Sequence, residues 1–299
     1  MKQFIVAIFL CVVFFAFSHA DQRKIAYERG DIFVADVDGT HAKKIAAGAL
    51  PEISPAGTRV AFNTEGDAKH RPGPERRIAV ADVTSGKVTV LKDIPSDNCF
   101  GPVWSPDGKQ LAFMIMADDK WNVGLVNVDG TGFRFLKNVQ PKSDAFGAPE
   151  WARDGKSIFC HDLENLYQIG LDGNILKRWE LSNILTDASM NSGDRLSVSP
   201  DGKTLLMDVD CGSEHERKNW DGPQPAIEKL DLSADKAVRV TGKDDFVWEP
   251  FWLSANEFLC IMQKEKENEP SIYRMSTDGK NAKLLVKHAR TPSASAPEL

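Results

Sequence analysis

The residues best suited to chemistry stand in one run, Asp208-Val209-Asp210-Cys211-Gly212-Ser213-Glu214-His215-Glu216-Arg217-Lys218-Asn219-Trp220-Asp221. It combines carboxylates such as Asp210 with the His215 imidazole, the Arg217 guanidinium and the Trp220 indole. Arg217 could pair with a carboxylate or phosphate through its planar fork. Trp220 could stack on a sugar or a peptide side chain. Two readings stand open for this run: recognition of a polar ligand, or a solvated loop that packs Trp220 on its neighbour. The segment Asp67-Ala68-Lys69-His70-Arg71-Pro72 repeats the basic-plus-imidazole theme more weakly. Phe100 and the triplet Phe246-Val247-Trp248 are apolar residues expected in loops, where they cap the architecture or line a binding surface. The candidate ligand-binding set is therefore Asp210, His215, Arg217, Trp220, His70, Arg71, Trp248 and Phe100.

Catalytic signatures are absent from this chain. It contains no Gly-x-Ser-x-Gly elbow, Walker loop or Gly-x-Gly-x-x-Gly turn. Ser, His and Asp residues occur, but no order among them nominates a triad. His70, His161 and His215 fall in three different segments and would form a metal site only if the fold brought them together, since no His-x-x-x-His spacing is present. No catalytic residue, cofactor or metal ligand is assigned. Asp36-Val37-Asp38-Gly39 lacks the later ligands of a calcium loop and reads as a hairpin turn.

The elements that must position these residues are strands. Pro102-Val103-Trp104-Ser105-Pro106-Asp107-Gly108-Lys109-Gln110-Leu111-Ala112-Phe113 reads as strand, tight turn and strand. Pro presets φ, Asp bonds the nearby backbone and Gly accepts positive φ. Related phrases run from Pro149, Leu196, Pro51 and Pro250. The Trp-equivalent positions Ile53, Trp104, Trp151, Val198 and Trp252 are 51, 47, 47 and 54 residues apart, and Leu299 lies 47 beyond the last. A near-constant period carrying only strands predicts a β-propeller with one four-stranded antiparallel sheet per repeat.

Lys24 to Gly30, Ile32 to Val37 and Ala42 to Ala47 give three strands at the start. The segment Ser293 to Leu299 supplies the fourth, so the two termini share a blade and the ring closes at six. The remaining blades are expected over 50–92, 101–138, 148–181, 195–242 and 249–287. Short Pro-Asp-Gly and Asp-Gly turns fall on one face. Longer connections fall on the other: Asn63 to Glu75, Lys92 to Phe100, Asn138 to Phe146, Ser182 to Asp194, Asp208 to Pro225 and Lys243 to Trp248. Binding residues concentrate on such loops, so the long-loop face, where a propeller's channel opens, is the expected site.

The Trp-Ser-Pro-Asp-Gly-Lys-x-Leu-Ala-Phe phrase, followed by Ile272-Tyr273-x-x-x-x-Asp278-Gly279, resembles the TolB-type propeller repeat of bacterial envelope proteins. The match is close over 102–113 and 272–279, and the pattern covers nearly all of the chain beyond Ala20. The resemblance implies an all-β, six-bladed propeller. The α/β domain that precedes the propeller in TolB has no space between Ala20 and Lys24. Some lyases with similar repeats use channel histidines and a divalent metal. A carbohydrate-active enzyme, of uronate lyase or glycosidase type, with Asp210, His70, His161 and His215 as candidates, is therefore the alternative to a non-catalytic binding module.

Lys2, the apolar run from Phe4 to Phe17 and Ser18-His19-Ala20 predict a secretory signal peptide over 1–20, leaving 21–299 as a single propeller domain. The chain carries 37 Lys and Arg against 43 Asp and Glu, a net charge of −6 that becomes −7 once Lys2 leaves. That balance argues against nucleic acid, whose phosphates need a basic footprint. The expectation is a periplasmic or secreted monomer with no stable membrane anchor, whose partner is an envelope or extracellular protein, a peptide or a glycan. Cys160 and Cys260 occupy core strand positions. Cys99 and Cys211 are expected in loops, where an oxidising compartment could pair them, although spacing does not choose that connectivity.

Overall fold

A computed structural model describes residues 23–69, 73–136, 146–212, 217, 220, 222–234 and 236–296. The signal segment, His70, Arg71, His215 and Leu299 lie outside them. Six antiparallel sheets follow one another around a ring. One four-residue helical turn, Leu181–Ile184, is the only α-helix among the described residues. No described helix is long and apolar enough to cross a membrane.

The repeat phrase explains each blade. Ser105 N–H donates to Gln110 O and Gly108 N–H to Ser105 O, closing the turn with Gly108 at φ +67°. Ser105 Oγ accepts from Gln110 N–H at 2.9 Å, and Asp107 Oδ1 accepts from Lys109 N–H at 3.1 Å. The strand that leaves buries Leu111, Ala112 and Phe113 completely. Ser199 and Asp201 repeat these contacts in blade 5. The turn carboxylates, among them Asp107, Asp201 and Asp278, are held below the usual range, chiefly by hydrogen bonds from the neighbouring serine hydroxyls.

The ring closes as the sequence suggests, with a shifted register. Blade 1 pairs the strand Lys24–Glu28 with the strand Arg290–Ala294, Ile25 opposite Ala294. That register matches Ile53 opposite Val60 in blade 2 and Trp104 opposite Leu111 in blade 3. Ala294, not Leu299, is therefore the last Trp-equivalent. The repeat phrase had lost its tryptophan and its Asp-Gly and kept Pro292 and Ser295. Ser295 Oγ accepts from Lys24 N–H at 2.9 Å across 271 residues, the bond that Ser54 makes to Arg59 within a continuous chain.

The inner strands carry a second regularity. Three residues before five of the six Trp-equivalents, Leu50, Gly101, Ala148, Glu249 and Thr291 have φ between +45° and +62°. Each sits at a register shift against the next strand, so the inner strand bulges toward the channel. A proline follows each one, Pro51, Pro102, Pro149, Pro250 and Pro292, and keeps the preceding residue out of the right-handed helical region. Left-handed backbone at Leu, Ala, Glu and Thr is costly, roughly 1–3 kcal/mol apiece, and persists only where the surroundings over-determine it.

Those surroundings come from the preceding blade. Glu28 Oε2 accepts from Leu50 N–H at 3.1 Å, Asn63 Oδ1 from Gly101 N–H at 2.9 Å, and Asp208 Oδ2 from Glu249 N–H at 3.0 Å. Glu28, Asn63 and Asp208 are equivalent positions, three residues after Ile25, Val60 and Leu205. Met114, His161 and Ile261 occupy the same position in the other blades.

Replacing fully buried Asn63 with leucine should cost about 2 kcal/mol in denaturant unfolding, because Gly101 N–H and Cys99 C=O lose their partner together. Met114→Leu, at the equivalent position without a polar tie, should cost less than about 1.5 kcal/mol. Equal costs would mean that the inter-blade bond contributes little.

Candidate functional site

Blade 5 breaks the pattern. Its inner strand is split into Ala188–Ser189 and Leu196–Val198, both paired with the strand Thr204–Cys211. Between them Met190 to Arg195 replaces the bulge, and Leu196 stands where the other repeats place proline. Arg195 holds the position of Leu50, Gly101, Ala148, Glu249 and Thr291. Its Nη2 lies 3.5 Å from Glu52 Oε2, which belongs to blade 2 on the far side of the ring. The insertion also accounts for His161. In the other polar cases its position caps the bulge of the next blade, but blade 5 has no bulge there. Among the described residues both ring nitrogens of fully buried His161 lack a hydrogen-bond partner. Burial pulls its pKa down to about 4.

The result is a pocket in the channel, whose empty space is about 690 Å³ with the open solvent at its mouth included. The chain enters every inner strand from the long-loop side, so the mouth lies on that face. Phe100, Met114, Val103 and Leu50 form an apolar wall; Asp194, Arg195 and Glu249 are the charged lining. Asp194 Oδ2 accepts from Asn191 N–H at 2.6 Å, and Asp210 Oδ2 from Asn191 Nδ2 at 2.8 Å, fixing the insertion. Deeper, Glu52 Oε1 accepts from Trp104 N–H at 2.9 Å, Glu150 Oε1 from Val198 N–H at 3.3 Å, Ser197 Oγ from Trp252 N–H at 3.0 Å, and Ser293 Oγ from Ile53 N–H at 3.0 Å. These ties use the residue before each Trp-equivalent to join neighbouring blades.

Five carboxyls thus crowd the channel, opposed by Arg195 at Glu52 and Glu249 and by Arg153 at Glu150. Burial is the main reason that all five bind protons more tightly than usual. Glu52 rises to about 8, with Glu150 adding repulsion and Arg195 opposing it. Asp194 also rises to about 8, Asp210 adding to the effect of burial. Asp208 is raised well above its ordinary range by burial and by Asp194, while Glu150 and Glu249 rise chiefly through burial.

The sequence-derived residues divide. Phe100 lines the channel mouth, with the Arg76 guanidinium 5.7 Å from its ring centroid. Trp220 and Trp248 are half-buried and meet at 5.4 Å between centroids; Trp220 also packs edge-on against buried Phe246 at 5.2 Å. Arg217 stacks over Phe246 at 3.7 Å and donates from Nη1 to Gln263 O and from Nη2 to Asp244 O, both at 2.7 Å. It ties its own segment to blade 6. Asp210 lies in the strand Thr204–Cys211, bonded to the insertion. His161 is sealed inside blade 4. Among the described residues no three His, Cys, Asp or Glu side chains form a metal-ligand group.

Cys99 and Cys211 lie in strands, not loops. Cys99 begins the inner strand of blade 3 and Cys211 ends the strand Thr204–Cys211 of blade 5, each buried in a separate core, and the two are not bonded to each other. Arg195, Asp194 and Glu249 were missed. Their signal was present in the sequence, as Leu196 in place of the recurrent proline and Glu249 directly before Pro250.

The chain belongs to the TolB β-propeller family, whose domain pattern matches residues 7–286. Comparison with curated proteins finds no match. Among solved structures, TolB from Acinetobacter baumannii superposes with a TM-score of 0.66 at 18% identity, covering 93% of this chain and 68% of that one. A chain of a nidogen/laminin complex gives 0.64 at 12% identity, covering 91% and 98%. Oligogalacturonate lyase from Vibrio parahaemolyticus gives 0.55 at 17% identity, covering 85% and 74%. At these identities the likeness is one of fold, which hosts both binding and catalysis.

Glu52 and Asp194, each raised to about 8, set a pH dependence. Between about pH 4 and 8 the folded state holds protons that the unfolded chain has released, so stability falls as pH rises through that window and levels off above it. The turn carboxylates act in the opposite sense below about pH 4, where their protonation removes stability. The melting temperature should therefore be higher at pH 5 than at pH 8.5, and Glu52→Gln should flatten that slope. A melting temperature that rises steadily from pH 5 to 8.5 would show these carboxyls to be ionised in the fold.

Proposed function

We propose that this protein is an extracytoplasmic propeller that acts as a non-catalytic binding or scaffold module for a protein, peptide or glycan. The carrying observation is the aromatic surface on the long-loop side. Trp220 and Trp248 meet there, half-buried, and Phe100 lies in the channel mouth. Such partly exposed aromatic groups provide large contact area at low entropic cost, as binding anchors do. The opposite face consists of tight turns whose serines and aspartates are spent on their own backbone.

In this reading residues 1–20 direct export, residues 21–299 form one propeller domain, and the protein works as a monomer in the periplasm or outside the cell. Asp210 and Arg217 fix the framework around the aromatic surface, while His70, Arg71 and His215 lie outside the described residues. The carbohydrate-active alternative draws on His161, which is sealed in blade 4, and so gains no support from the described residues.

The test is comparative capture from cell-envelope extract, with glycans screened in parallel. Trp248→Ala should weaken capture of the main partner by about tenfold or more while the melting temperature changes little. Arg217→Ala should weaken capture and lower the melting temperature together, because Arg217 pins the segment to blade 6. Undiminished capture by both variants would remove this surface from the account.

A further inference from the structure

The channel mouth presents two opposite charges that satisfy each other only in part. Arg195 and Glu249 occupy equivalent positions in adjacent blades, and both line the pocket. They interact electrostatically, the guanidinium favouring the ionised carboxylate. Yet among the described residues the two form no ion pair, and Arg195 Nη1 and Glu249 Oε2 each lack a hydrogen-bond partner. Thr291 hydrogen-bonds the Glu249 carboxylate, and Asp208 accepts Glu249 N–H, so the side chain is held in place. Arg195 is anchored on its other side by Glu52. An unsatisfied donor and an unsatisfied acceptor are thus fixed beside one apolar wall.

We infer that the channel mouth binds a free α-amino acid with an apolar side chain, its carboxylate on Arg195, its ammonium on Glu249 and its side chain against Phe100, Met114 and Leu50. A zwitterion carries both complementary charges on one carbon and adds no net charge to a crowded site. A simple anion would satisfy Arg195 but leave the Glu249 carboxylate beside it without a cation. A simple cation would satisfy Glu249 but face Arg195. A peptide terminus supplies only one of the two charges, because the amide bond removes the other. The wall sets the side-chain class: an apolar group gains by leaving water there, whereas a charged one would be desolvated without a partner. The site is separate from the Trp220–Trp248 surface and does not depend on the docking reading.

The test is calorimetric titration of the full chain with L-leucine, L-methionine and L-phenylalanine, each set against analogues that lack one charge. At least one amino acid should bind with a dissociation constant below about 1 mM. N-acetyl-L-leucine, without the ammonium, and L-leucinamide, without the carboxylate, should each bind at least about tenfold more weakly than L-leucine, since each loses a charge-assisted bond. Glu249→Gln should reduce affinity by a similar factor. If that variant fails to fold, the analogue series on the unaltered protein carries the test alone. Silence from all three amino acids up to roughly 10 mM, or equal binding of either analogue, overturns the inference. Binding retained in Trp248→Ala, alongside lost partner capture, would separate this site from the docking surface.

Discussion

The structure depends on a seam. Lys24 to Glu28 pairs with Arg290 to Ala294, so the first described strand and the last are neighbours in one sheet. An open ring would leave two strand edges with unpaired N–H and C=O groups, an invitation to aggregation. Closure removes both edges and places each blade between two others. The joint reuses the contacts of the other blades: Ser295 does for Lys24 what Ser54 does for Arg59, with the chain cut between the two partners. Arg23 adds a bond from Nη1 to Leu253 O at 2.7 Å and so ties blade 1 to blade 6. Because the pairing partners are far apart in sequence, closure entropy must be met before the contacts form, and the ring should close late in folding.

Once the ring is closed, blades must hold their neighbours around a channel that cannot fill with apolar side chains alone. Two sets of polar ties do this. One runs from the residue before each Trp-equivalent to the next blade. The other runs from the second strand to the next bulge. Each set has gaps, and the gaps are chemically understandable. Val103 and Phe251 cannot accept an N–H in the first set, and at Val103 only the indole bond remains, Trp151 Nε1 donating to Val103 O at 3.2 Å as Trp104 Nε1 does to Glu52 O at 2.8 Å. Met114 and Ile261 cannot accept in the second set. His161 could, but the insertion in blade 5 has taken its partner away. The irregular blade thus converts a symmetric scaffold into an asymmetric channel with Arg195 at its mouth.

Much of this was legible in the sequence because it is local. The Ser-Pro-Asp-Gly turn, the apolar strand after it and the period between copies all lie within a dozen residues of each other, and they give the blade count and the closure. The register of the final strand was harder. Leu299 looked right by spacing, and Ala296-Pro297-Glu298-Leu299 imitates the repeat. What actually persists is Thr291-Pro292-Ser293-Ala294-Ser295, where the backbone role survives and the side chains have shrunk. Loop readings also over-reached. Asn63 to Glu75 is mostly an extended hairpin, with Asp67 opposite Pro74, since strands continue past the apolar core wherever pairing alone supports them. The channel charges left only an indirect signal, Leu196 in place of the recurrent proline and Glu249 before Pro250, because residues 52, 194, 208 and 249 meet only through the ring.

The same contrast explains why fold and function separate so cleanly here. The turn face is fixed by short-range bonds, so substitution there mainly costs stability. The channel face is held by long-range ties and by backbone in a strained region, and strain of this kind persists only where neighbours enforce it. Five bulges put left-handed residues at the mouth, and only the backbone conformation is common to them: leucine, glycine, alanine, glutamate and threonine all occupy it. A position that demands one conformation while accepting five side chains is free to vary its chemistry without altering the scaffold. Glu249 and the Arg195 insertion are the two places where that freedom has introduced charge, and they sit side by side.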